Sequence, residues 1–249
     1  MLLDLSISPL LAQTQAFESV GIFMRAGGAF MWPIVACSLV SVGLVVHRAL
    51  SLRRESVIPV ELERRLEEFR KGGGHAEFNA LAREAAGRSS PMARLTLTAL
   101  EMREEERPAV ETAVESAARS EVMGLQWGLA MLEVIVTISP LLGLLGTVSG
   151  LVQVFGVFSG SAGDQADPMK IAAGIAEALY ATIGGLVVAV PTVIAHSILA
   201  KKVETLAVRM EVLAGHLIHT LGDMRRRAVT RVPPPIPESA SFSSSSFPA

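Results

Sequence analysis

The sequence predicts an all-α membrane protein: three transmembrane helices, with long helices extending into a cytoplasmic helical domain. Three observations predict it. Charged residues make up 18% of the 249 and hydrophobic residues 50%, whereas soluble domains carry about 25% charge. The charge is also unevenly placed, since 27 of the 46 acidic and basic side chains lie between His47 and Gln126, under a third of the length. The remainder holds three apolar runs, each long enough to cross a hydrocarbon core of about 30 Å, which takes roughly 20 helical residues.

The same numbers exclude other classes. A net charge of -2 and a pI of about 6.2 leave no basic face for nucleic acid. Cys37 is the one cysteine, so no disulfide framework or cysteine-based zinc site is expected. No phosphate-binding glycine loop is present. Glu133, Glu177 and His196 lie at different depths and form no catalytic pair, so neither an enzyme nor a cofactor or metal site is expected.

Residues 1–28 are expected to form an outer segment. Its first sixteen residues have the apolar look of a secretory signal, but they lack a basic start and carry Asp4, so cleavage is not expected. Residues 16–28 read as a short amphipathic helix on the outer membrane surface, with Phe17, Val20, Ile22, Phe23 and Met24 as its apolar content. The first span is assigned to 29–47, charge-free from Ala29 to Val46 and bounded by Arg25 and by His47 and Arg48.

Residues 48–126 read as the cytoplasmic helical domain. Pro59 opens a helix that Gly72, Gly73 and Gly74 end; a second fits 75–86, closed by Gly87; a third is expected from Pro91 to about Glu106. Pro108 suits the first turn of a new helix, where its missing N–H has no intrahelical partner. No strong breaker follows until Pro140, and Val110, Val114, Ala117, Ala118, Val122 and Leu125 recur at helical spacing. One helix from about 108 to about 158 is therefore expected, about 76 Å long at 1.5 Å per residue, with 127–158 as the second span. Residues 159–170 form an outer loop, 171–200 the third span, 201–230 a cytoplasmic helix, and the proline- and serine-rich 231–249 a disordered tail.

Basic residues set the orientation. The N-terminal segment and the 159–170 loop carry Arg25 and Lys170, and the other 20 lie in the 47–126 region and after the third span. The N-terminus is expected outside and the C-terminus inside.

Glu177 carries the chemistry. It lies about six residues, or roughly 9 Å, into the third span, where a carboxyl facing lipid is costly and is expected to face a helix interface or a wet cavity. Counted from the outer ends of antiparallel spans, Thr147 and Thr182 fall level, with Glu177 one to two turns above. Two hydroxyls and a carboxyl on converging helices can line a polar thread. A lone threonine more often turns its hydroxyl onto its own helix; the match in depth favours the thread. Gly143, Gly146 and Gly150 in one helix, and Gly174, Ala178, Ala181, Gly184 and Gly185 in the other, permit close backbone approach in lipid. Pro140 and Pro191 each free a carbonyl and are expected to kink their helices, with Ser139 and Thr192 placed to satisfy the freed groups.

At these residues the chain resembles the MotA/TolQ/ExbB proton-channel family, most closely its ExbB/TolQ-like branch. The carrying motifs are PLLGLLGTVSGLVQVF over 140–155 and GIAEALYATIGGLVVAVPTVIAH over 174–196, and the resemblance spans roughly residues 15–220. It implies a homopentamer in the bacterial inner membrane whose second and third spans line a pore. An ExbD/TolR-like single-span protein would sit in that pore as a dimer and supply a proton-carrying aspartate. A TonB-like protein serving outer-membrane transport, or a TolA-like protein of the Tol-Pal envelope-maintenance system, would receive the force; a non-conducting scaffold is the remaining alternative. Glu177, Thr147 and Thr182 match the family's polar positions. Ser149 departs from it, standing where this branch often has tryptophan, which implies a wetter or looser pore wall.

Overall fold

The computed structural model describes residues 21, 24–160 and 167–230, and every regular element among them is helical. The elements are α1 (Met31–Ser51), α2 (Arg54–Val57), α3 (Val60–Gly72), α4 (His75–Ala86), α5 (Pro91–Glu101), α6 (Arg107–Gly160) and α7 (Pro168–Thr230). Most of the amphipathic segment expected over 16–28, the middle of the 159–170 loop and the tail 231–249 lie outside the described residues.

Three helices, α1, α6 and α7, are long and apolar enough to cross a membrane. Pro33 sits in the first turn of α1, where a missing N–H costs no intrahelical bond. The helix continues past the expected end of the span to Ser51. The helix expected from about 108 to about 158 is α6, Arg107–Gly160, unbroken at Pro140. The third span and the helix after it are one continuous element, α7, which also passes through its Pro191.

The chain divides into two compact units: residues 1–56 with 120–207, and residues 57–119 with 208–249. The second unit thus includes the end of α7 beside the helices of the expected cytoplasmic domain. Local chemistry sets its short helices. Glu61 and Glu63 occupy the first turn of α3 and Arg70 and Lys71 its last, matching the helix dipole at both ends. Gly73 closes α3 at φ +57, its N–H on the Phe69 carbonyl at 2.8 Å, a left-handed cap that favours glycine. Ser90 caps α5 by accepting from the Ala93 N–H at 3.3 Å, with Pro91 in the first turn.

α5 ends at Glu101 rather than near Glu106. Residues 103–106 are all exposed, and a segment with no apolar face to bury gains too little to extend a helix. The core of this unit is built from large side chains, Leu62, Phe69, Leu81 and Met92 among those fully buried. Phe69 meets Phe78 edge to face at 6.2 Å, and an Arg209–Glu63 ion pair ties α7 to α3.

In the first unit the spans turn large apolar side chains outward: Leu39, Val42, Val148, Val152 and Leu179 are all more than half exposed. Trp32 near one end of α1 and Trp127 toward one end of the apolar stretch of α6 are about 70% exposed, the placement expected of indoles at a membrane–water boundary.

Candidate functional site

Within the first unit α6 and α7 run antiparallel, and glycine sets their separation. A Cβ added at Gly143 would stand 3.0 Å from the Ala181 carbonyl oxygen, one at Gly150 2.6 Å from that of Gly174, and one at Gly185 2.6 Å from that of Ser139. At Gly146 it would overlap the Ala181 Cβ. Gly184 is buried as well. The backbones touch along this seam because lipid offers no hydrophobic drive between helices, and close contact must supply the attraction.

The seam fixes where the polar side chains fall. Glu177 is half-buried, and its Oε1 accepts from Gln153 Nε2 of α6 at 3.4 Å. The same carboxyl lies against Gly28, just before α1, where a Cβ would overlap Oε1 and stand 2.5 Å from Cδ. Glu177 therefore faces the helix interface.

Thr182 is half-buried, its hydroxyl 3.5 Å from the Gly143 carbonyl oxygen across the seam and 3.4 Å from that of Ala178 on its own helix. Thr147 donates to the Leu144 carbonyl at 2.7 Å. The two threonines are not level. Thr182 packs on Gly143, four residues or about one turn from Thr147. The register follows the glycine contacts rather than distances counted from the span ends.

The prolines also behave differently from expectation. Pro140 leaves the Val136 carbonyl without its helical N–H partner, and Pro191 that of Val187, yet Ser139 donates to Ile135 at 2.8 Å and Thr192 to Val188 at 2.7 Å. Each hydroxyl reaches the carbonyl four residues before its own position, and so misses the freed one by a residue. Thr192 has a second role. With its own proton on Val188, it accepts from Ser41 of α1 at 2.7 Å in a buried contact.

Ser41, Gln153, Gly28 and Arg48 were missed at the level of sequence. Arg48 reads there as a basic residue ending a span, but it is 8% exposed. Its guanidinium lies over Gly128, where a Cβ would overlap Nε, and donates to the Gly124 carbonyl at 3.4 Å. Two small residues one turn apart on α6 were the available signal. Glu133 is exposed, His196 half-buried and Ser149 half-buried.

Glu177 is thus held between three segments, the turn before α1, α6 and α7, with an amide donor on its carboxyl. Residues 87–212 match the MotA/TolQ/ExbB proton channel family, a stretch that includes Thr147, Gln153, Glu177 and Thr182. A biopolymer transport protein of the ExbB-like type from Synechocystis is 34% identical over 169 residues, 68% of this chain and 79% of that protein. The biopolymer transport protein exbB1 of Vibrio cholerae is 27% identical over 183 residues, 74% of this chain and 80% of that one. The Tol-Pal system protein TolQ of Haemophilus influenzae is 37% identical over 94 residues, 38% of this chain and 40% of its own length. The chain is a membrane protein that belongs to the MotA/TolQ/ExbB proton channel family.

Proposed function

We propose that the chain is the pentameric inner-membrane subunit of an ion-driven motor. It works with an ExbD/TolR-like single-span partner, uses the proton motive force, and energises a TonB-dependent outer-membrane transport system. In this reading the N-terminus is periplasmic and the C-terminus cytoplasmic. The second and third spans line the pore, and Glu177, Thr147 and Thr182 stand along the ion path.

The observation that carries the reading is Glu177 turned inward, bonded to Gln153 and packed on Gly28. A carboxyl kept out of lipid at such a site has a functional role by default. The energetics fit, because one charge crossing 100 mV releases about 2.3 kcal/mol, and a few protons per step suffice to shift packed helices. A TolQ-like role in envelope maintenance is the second reading. The ExbB branch is preferred because ExbB-like relatives align over 68% and 74% of the chain and the TolQ relative over 38%.

Cells carrying Glu177→Ala test the proposal. Energised uptake through the outer membrane is expected to fall to background while the subunit still co-purifies with its partner. Wild-type uptake in that strain overturns the role of Glu177. Intact uptake with a failed envelope assigns the chain to the second reading.

A further inference from the structure

We propose that Gly28 and Gln153 are positioning residues that form a seat for the Glu177 carboxyl, so that the start of the first span takes part in setting the ion path. The inference rests on the reading of Glu177 as an ion-path residue and extends it to a segment outside 87–212, the stretch that matches the family.

Two independent features single out Gly28. Its φ is +68, a left-handed conformation that side-chain-bearing residues adopt at a cost. The space where its Cβ would stand is taken by Glu177, with Oε1 overlapping it, Cδ at 2.5 Å and Cγ at 3.0 Å. Both bar a side chain, one through the backbone and the other through the carboxyl. The backbone here is also tied down, since the Gly28 carbonyl accepts from the Met31 N–H at 3.3 Å at the entry to α1.

Gln153 approaches the same carboxyl oxygen from α6, donating to Oε1 at 3.4 Å. That approach depends on the seam below it, where Gly150 lies against Gly174 and Ala178, three residues before and one residue after Glu177 on α7. Oε1 is thus fixed on one side by contact with Gly28 and on another by an amide donor. A displacement of the α1 entry relative to α7 would release the carboxyl, and a change at Glu177 would be felt at α1.

The experiment uses the full-length protein in complex with its single-span partner. Gly28→Ala is made in the wild-type chain and in a Glu177→Ala chain, and the apparent melting temperature of each is measured. The seat predicts a drop of about 5 °C or more beside Glu177 and less than half of that beside alanine, since only backbone strain then remains. Equal drops overturn it.

A chemical readout covers the case in which Gly28→Ala fails to fold. Gln153 is exposed, so Gln153→Leu is expected to assemble normally. The rate at which a hydrophobic carbodiimide modifies Glu177 in membranes should change at least about threefold in Gln153→Leu; an unchanged rate overturns the seat. Neither measurement reads transport. Wild-type uptake in Glu177→Ala cells would defeat the ion-path reading and leave the seat standing, whereas equal melting losses would do the reverse.

Discussion

The two compact units solve the same packing problem with opposite residues. In the unit formed by 57–119 and 208–249, the contacts are made by bulk: Phe69, Leu62 and Leu81 are wholly buried, and charged side chains cover the outside in pairs such as Arg64–Glu68, Arg107–Glu111 and Arg119–Glu115. In the unit formed by 1–56 and 120–207, contacts are made by absence. Gly143, Gly146, Gly150 and Gly185 bring backbones together, and the bulky residues point away. The difference lies in the solvent. Water drives large apolar side chains into a core at about 25 cal/mol per Å², while lipid gives no such reward and leaves close packing and buried hydrogen bonds to hold helices together.

Adding bulk to the seam should do the most damage. Gly146→Leu places a side chain where the Ala181 Cβ already stands, and neither backbone can yield without parting α6 from α7. Folded protein in the membrane is expected to be lost, as seen by size-exclusion chromatography of solubilised membranes. A normal yield would show that the glycines are incidental.

Removing bulk from the other unit comes next. Phe69→Ala deletes a fully buried ring in edge-to-face contact with Phe78 and should cost about 3–4 kcal/mol, read by denaturant unfolding followed through helical circular dichroism. The paired change Thr147→Val with Thr182→Val is milder. Its hydroxyls bond mainly to backbone carbonyls, so stability should move by no more than about 1 kcal/mol. Proton flux should nevertheless fall, and loss of assembly instead would make the pair packing elements.

The smallest effect is expected on the charged surface. Hydrogen bonds from Arg64 and Arg70 hold the Glu61 and Glu67 carboxyls below their ordinary value. A carboxyl lowered in the folded state adds stability above its unfolded pKa, about 4.5 here, and loses it as pH falls through the lowered value. Because the pair is open to water, that contribution is small, and Glu61→Gln should leave the melting temperature within about 1 °C at pH 7. Any destabilisation should shrink further below pH 4. A large loss at pH 7 would contradict the reading of these pairs as solvated.

How much of this was legible in the sequence depends on how local each cause is. The Gly73 end of α3, the Pro91 start of α5 and the unbroken run of α6 could be read directly, because their causes lie within a few residues; the Ser90 cap was not read. Glu177 was legible for another reason: a charge in an apolar run stands out against its background. The close seam was legible from the small residues that make it, but its register was not. Thr147 and Thr182 are offset by a turn because Gly146 and Ala181 interlock, a detail of shape that hydropathy does not encode. Ser41 and Thr192, 151 residues apart, meet only through the fold. Gly28 carried a faint signal, a second glycine directly before an apolar run, and Gln153 carried none beyond being an amide in a span.

Both residues meet the Glu177 carboxyl. The most direct test is proton flux into liposomes holding the chain and its single-span partner, driven by a potassium diffusion potential and read with an internal pH dye. Wild-type complexes should acidify the lumen, and Glu177→Gln complexes, which keep the size of the side chain and remove its titration, should not. Equal flux through both would contradict the account.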